Sequence, residues 1–177
     1  MLVAVSDTHA TASPVLSEYL RDTLVRAETV VHAGDFTTEA VLEGFEGLAD
    51  EFVAVHGNSD AAAVRERLPA VATVDALGVR FLVVHGHEHD RTSLPLLARQ
   101  EGADVVLVGH THRAGIDHVG DVLVVTVGSH ADPRGNRPAF VTVGQSGETV
   151  QGAFRTPDGD TIRKFRLGEG RTGSAHS

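Results

Sequence analysis

Five times in this chain a short apolar run gives way to side chains that can hold a metal or move a proton. Residues 2–5 lead into Asp7-Thr8-His9, and residues 29–32 into Gly34-Asp35. Residues 52–55 lead into Gly57-Asn58-Ser59-Asp60, and Val83-Val84 into His85-Gly86-His87. Residues 106–108 lead into Gly109-His110-Thr111-His112. The set offers two carboxylates (Asp7, Asp35), four imidazoles (His9, His85, His110, His112) and one amide oxygen (Asn58). There is no thiolate, because the chain has no Cys. Mixed oxygen and nitrogen donors suit Mn, Fe, Co, Ni or Zn and disfavour Ca, which takes oxygen alone. Seven ligands are too many for one tetrahedral ion and fit two, with one carboxylate shared. Paired ions about 3.5–4 Å apart clamp both the attacking and the leaving oxygen of a phosphoryl displacement. Each residue alone is an ordinary strand-end cap or turn residue. What argues for a site is that the pattern recurs in all five places.

The elements that must position this set can be read from spacing. The apolar runs at 2–5, 29–32 and 52–55 are expected as strands. Ser13-Pro14 predicts a helix start, with Ser as cap and Pro in the first helical position. Val15, Leu16, Tyr19, Leu20, Leu24 and Val25 then recur at helical spacing. Thr37 or Thr38 is expected to cap a helix that carries Val41, Leu42, Phe45 and Leu48 on one face. This β-α-β-α-β order predicts a parallel sheet with crossover helices. Further on, 71–75 and 79–84 predict a hairpin, 94–100 a helix and 104–108 a strand. Short β-rich runs follow at 115–118, 122–127, 139–143, 149–154 and 162–167. The expected architecture is a mixed α/β domain over residues 1–167, with two sheets face to face and helices outside. Residues 168–177 are polar and Gly-rich and are expected as a flexible tail.

Ligands of α/β sheets bind off the carboxyl ends of the strands, so one crevice should receive all five polar groups. Strand alternation is expected to keep Asp7 and His9 on one side with Thr8 turned away, and His110 and His112 likewise. The glycines at 34, 57, 86 and 109 are expected to let the backbone turn and approach the ions.

Composition narrows the class. The chain has 177 residues, 41% of them hydrophobic, enough for a sizeable core and against intrinsic disorder. Its net charge of -9 and 5% aromatic content argue against an extended nucleic-acid track. The start lacks a basic region and a cleavage site, and no apolar run approaches a membrane span of about 20 residues. A cytoplasmic protein without a membrane partner is the expectation. The β-rich second half leaves an edge on which a homo-oligomer could form.

Asp7-x-His9, Gly34-Asp35, Gly57-Asn58, His85 and Gly109-His110-x-His112 resemble the five signature blocks of the calcineurin-like metallophosphoesterases, in order and spacing, over residues 2–130. The short length, His85-Gly86-His87 and the late Gly128-Ser129 resemble the small bacterial and archaeal phosphodiesterase branch, whose fold the retromer small subunit shares. The resemblance implies a four-layer αββα sandwich of two mixed β-sheets flanked by helices. It implies one metal on Asp7, His9, His112 and a shared Asp35, and a second on Asp35, Asn58, His85 and His110. Mn is the first choice for both ions, with Fe, Ni, Co or Zn as alternatives. A bridging hydroxide would attack phosphorus in line, with Asp35, Asn58 and His110 as catalytic residues. The implied activity is hydrolysis of a small phosphate ester, a diester before a monoester. A non-catalytic metal-binding scaffold of the same fold is the rival from another class.

In one place the chain departs from the family. The larger family has Gly-Asn-His-Glu where this chain has Gly57-Asn58-Ser59-Asp60. That His stabilises the transition state or protonates the leaving group, which Ser59 does poorly. Slow turnover of alkyl phosphates is therefore expected, since good leaving groups need an acid least. Ser59, His87, Arg113 and Ser129 are candidates for substrate contact, and Arg134 and Arg137 stand near the same loops. Asp60 is expected to orient its loop. His32 and His56 are expected to pack or to orient ligands, and His118 and His130 to lie at the surface.

Overall fold

The apolar runs are strands because both of their faces are covered. In β1 (Leu2–Val5) all four residues are buried. Leu2 and Ala4 face one apolar cluster, while Val3 and Val5 face another. Strand alternation thus feeds two cores from one continuous apolar run. The computed structural model describes residues 1–167; residues 168–177, read above as a tail, lie outside the described residues.

After β1 come α1 (Glu18–Arg26), β2 (Thr29–His32), α2 (Glu39–Glu46), β3 (Glu51–Ala54) and α3 (Ala62–Arg67). The second half runs β4 (Val71–Ala76), β5 (Val79–Val84), α4 (Ser93–Gln100), β6 (Val105–Val108), β7 (Gly115–Val119) and β8 (Val122–Thr126). It closes with β9 (Phe140–Ser146), β10 (Thr149–Arg155) and β11 (Thr161–Arg166). One sheet has the order β11-β10-β9-β1-β2-β3, the other β4-β5-β6-β8-β7. β1, β2 and β3 pair in parallel, as do β5, β6 and β8.

Between the sheets Leu2, Ala4, Val31 and Val141 pack with Phe81, Val83, Leu107 and Val125. Outside the first sheet, Val3, Val5 and Val30 meet Leu20 and Leu24 of α1 and Leu42 and Phe45 of α2. Outside the second, Leu82, Val84 and Val106 meet Leu94 and Ala98 of α4. The result is the expected sandwich of two mixed sheets with helices on both outer faces. Among the described residues no helix is long and apolar enough to cross a membrane.

Some elements differ from the sequence reading. α1 is capped by Ser17, not Ser13, and Ser17 Oγ accepts the Leu20 N–H at 3.1 Å. Thr38 is the cap position of α2, yet its side chain makes no capping bond; its hydroxyl donates to the Thr11 carbonyl instead. α3 was not expected. Its cap, Ala61, has no side-chain acceptor, so no capping signal marks it.

Candidate metal centre

The parallel strands of both sheets end at one place, and the loops that leave them carry the site. The expected alternation does not put its residues together. Asp7, His9, Asp35, His110 and His112 all have positive φ, at 53°, 44°, 62°, 74° and 59°. Such left-handed backbone costs an L-residue about 1–2 kcal/mol and persists only where the surroundings hold it. Those surroundings are visible here. The Asp7 N–H donates to the Gly34 carbonyl at 3.0 Å, and the His9 N–H to the Asp35 carbonyl at 3.1 Å. The His110 N–H donates to Asp7 Oδ2 at 3.0 Å. Asp60, the expected orienting residue, is buried and accepts the N–H groups of Asp35, Thr37 and Gly57 at 3.0, 2.8 and 2.7 Å.

Two of the glycines are needed for close approach. A Cβ on Gly57 would lie 2.1 Å from Asp35 Oδ1, and one on Gly109 2.2 Å from Ser6 Oγ.

Two donor groups converge: Asp7, His9 and His112, and Asp7, Asp35 and His85, with ligand atoms in each group within 4.8 Å of one another. Asp35 Oδ2 lies 3.3 Å from His9 Nε2 and 3.2 Å from His85 Nε2. Asp7 Oδ1 lies 3.3 Å from His112 Nε2. Asn58 Oδ1 stands 3.0 Å from His85 Nε2 and 3.1 Å from His110 Nδ1. All seven expected ligands are thus at one site, and Asn58 and His110 are on its exposed side.

The ring nitrogens show how the site is oriented. His85 Nδ1–H donates to the Ala33 carbonyl at 2.7 Å, and His112 Nδ1–H donates to the Asp132 carbonyl. In each ring Nε2 is thereby turned towards carboxylate or amide oxygens. A positive charge between nitrogen and oxygen, whether a ring proton or a metal ion, satisfies both. Asp7 Oδ1 and His9 Nε2 are buried with no hydrogen-bond partner. This arrangement fits divalent cations, and tethering the outer ring nitrogen is how proteins orient His ligands.

Electrostatics agree. Burial alone would raise the Asp35 carboxyl, but the imidazoles of His85 and His9 outweigh it and hold Asp35 well below the usual carboxylate range. Asp35 and then Asp7 push His9 up to about 9. At His85 burial works against the cation, and Asp35 overcomes it, so this ring too rises above its ordinary value. The site is built to gather positive charge.

The remaining candidates divide. His87 stands beside the centre, its ring 5.4 Å from that of His85. Ser59 is exposed, and its N–H donates to Asp35 Oδ1 at 2.8 Å. Arg113 is exposed next to His112. Ser129, expected at the substrate, is fully buried: its hydroxyl donates to the Asp7 carbonyl and accepts the Asp132 N–H, each at 2.8 Å. It braces the site from behind. His130, expected at the surface, is buried. His32 is buried, and its ring stacks on Phe36 with centroids 3.6 Å apart. Its Nδ1 accepts the Gly34 N–H at 3.1 Å, which leaves Nε2–H to donate to Thr8 Oγ1 at 2.9 Å.

Sequence reading missed Ser6, whose hydroxyl donates to Asp7 Oδ2 at 2.7 Å. It also missed Arg65, which binds the Asn58 and Asp60 carbonyls at 2.6 and 2.9 Å. Ser6 adjoins Asp7, a usable signal; Arg65 sits on the unexpected helix α3, so nothing pointed to it.

Comparison with known proteins gives a consistent result. Residues 1–147 match the family model described as the calcineurin-like phosphoesterase superfamily domain. A probable metallophosphoesterase of Methanocaldococcus jannaschii is 34% identical over 140 residues, covering 76% of this chain and 70% of that protein. A phosphodiesterase of the same organism is 32% identical over 112 residues, covering 57% of this chain and 66% of that protein. Among solved structures, Vps29 of Entamoeba histolytica complexed with zinc superposes with a TM-score of 0.75 at 21% identity, covering 94% of this chain and 99% of that one. The last likeness concerns the fold.

Proposed function

The chain belongs to the calcineurin-like phosphoesterase superfamily, and from that premise we propose that it is a metal-dependent phosphodiesterase acting on a small phosphate ester. The observation that carries this reading is the convergence of His85 Nε2, His112 Nε2, Asp7 Oδ1 and Asp35 Oδ2 at the strand ends, with the outer nitrogen of each ring tethered to a backbone carbonyl. We assign Asp7, His9, His112 and Asp35 to one divalent ion, and Asp35, Asn58, His85 and His110 to a second, with Mn as the first choice. Asp35 Oδ2 stands between the His9 and His85 rings, where a shared carboxylate belongs. Divalent ions there would supply Lewis acidity towards the phosphoryl oxygens and would acidify a water.

The chain's own residues do the rest. Ser6 and the His110 N–H fix Asp7, while Asp60 and the Ser59 N–H fix the Asp35 loop. Asn58 and His110 lie on the exposed side, within reach of an entering phosphate. Ser59 provides no strong acid for a leaving alkoxide, so esters with acidic leaving groups are the better substrates.

The test is hydrolysis of bis(p-nitrophenyl) phosphate and p-nitrophenyl phosphate by chelator-stripped protein with Mn restored. Mn-dependent cleavage that favours the diester, reduced more than about 100-fold in Asp35→Asn, is the expected result. Binding of metal without hydrolysis of either ester would overturn the reading in favour of a scaffold.

A further inference from the structure

A second feature lies beside the metal centre. A cavity of about 640 Å³ is lined by Thr111, Arg113, Ile116, Thr126, Asn136 and Arg163, among others. Thr111 sits between His110 and His112, so the cavity adjoins the loop assigned to the metals.

Strand register brings Arg163 there from the far edge of the other sheet. Val141 of β9 pairs with Ala4, near the end of β1 that leads to Asp7. Phe140 then pairs with Arg155 at the end of β10, and Phe154 with Arg163 at the start of β11. In the second sheet Thr126, the last residue of β8, pairs with Gly115, the first of β7. The edge strands β7 and β11 thus meet the cavity at the end of the sandwich that carries the site.

The cavity is cationic in a protein of net charge -9. Elsewhere Arg67, Arg80 and Arg134 each hold a carboxylate. The Arg113 and Arg163 guanidinium groups have no carboxylate or hydrogen-bond partner among the described residues. The acid in the lining, Asp117, is taken by Arg91 at 2.5 Å. Two uncommitted guanidiniums beside a phosphoryl site are suited to a further phosphate, which arginine binds through paired N–H donors.

We propose that Arg113 and Arg163 bind a second phosphate of the substrate, so that the natural substrate is a phosphodiester that also carries a phosphomonoester. This deepens the phosphodiesterase reading and rests on it. Thymidine 5′-(p-nitrophenyl phosphate), with and without a 3′-phosphate, provides a matched pair with the same leaving group. The 3′-phosphorylated ester is expected to show kcat/KM about tenfold or more higher, through KM. Arg113→Ala and Arg163→Ala should each remove most of that preference, and Arg163→Ala, on β11 of the other sheet, should leave bis(p-nitrophenyl) phosphate turnover within about twofold of the parent.

Equal KM values for the two thymidine esters, or equal loss on both in the variants, would overturn the proposal while the phosphodiesterase reading stands. If no ester is cleaved, that reading fails, and calorimetry on metal-free protein still decides this one. Thymidine 3′,5′-bisphosphate should then bind more tightly than thymidine 5′-phosphate, and the arginine variants should abolish the difference. The same affinity for both nucleotides would refute it.

Discussion

Asp60 shows how much of the centre depends on a residue that touches no candidate metal position. One carboxylate accepts three backbone N–H groups from two loops: Asp35 and Thr37 after β2, and Gly57 after β3. An amide in its place keeps one acceptor oxygen and sets an N–H donor against another donor, which costs about 1–3 kcal/mol in a buried position. Asp60→Asn should lower metal affinity about 10- to 100-fold, as loss of a supporting hydrogen bond does. Competition against a chromogenic chelator measures this, and unchanged affinity would show that the loop holds itself. Ser59 makes the complementary case. If the missing acid limits the enzyme, Ser59→His should speed hydrolysis of alkyl phosphodiesters about tenfold or more and hardly change p-nitrophenyl esters, since general acid catalysis matters most for poor leaving groups. Equal alkyl ester rates in the variant and its parent would rule that out. At this scale the residues that converge were legible as candidates, because donors of the right chemistry stood behind five apolar runs. The backbone that gathers them was not. Positive φ at Asp7, His9, Asp35, His110 and His112 falls on Asp and His, which left-handed backbone favours among non-Gly residues, but that preference is too weak to mark these five positions among all the Asp and His of the chain.

Strands were the most legible elements, because a fully covered strand reads as an unbroken apolar run, and β1, β2 and β6 are buried along their whole length. Helix starts were less so, for a nonlocal reason. Ser13-Pro14 has the sequence form of a start, yet Ser17 caps α1. Its hydroxyl donates to the Pro157 carbonyl at 2.5 Å while its oxygen accepts the Leu20 N–H. The partner lies in the turn between β10 and β11, 140 residues away, and no local pattern can announce it. Ser17→Ala removes both bonds and should cost about 1 kcal/mol in denaturant unfolding, as the loss of an N-cap does. Because α1 covers the outer face of the first sheet, away from the strand ends, phosphoesterase activity should be unchanged. A variant of full stability would place the start of α1 under other control.

Over the whole molecule, the layers that make the sandwich also decide how it meets acid. His130 is expected from sequence at the surface, but the loop that carries it folds inward and buries it, with neither ring nitrogen hydrogen-bonded. Phe45 of α2 meets the ring edge-on with centroids 6.2 Å apart. Burial is the main reason that His130 falls to about 4 from an ordinary 6.5, with the Asp7 charge a weaker opposing influence. Buried His32 is lowered as well, first by burial and then by repulsion from His130. The unfolded chain therefore takes up a proton near pH 6.5, which the folded chain refuses until about pH 4. The contribution of His130 is present in full above 6.5 and is lost progressively as pH falls towards 4. By pH 5 the loss from this residue is about 2 kcal/mol. His130→Leu, which has no titrating group, should escape it. The difference in unfolding free energy between parent and variant, measured by denaturant titration in chelator, should move by about 2 kcal/mol in the variant's favour between pH 7.5 and pH 5. A difference that stays constant with pH would mean that His130 is protonated in the folded chain, with water or a carboxylate reaching the ring.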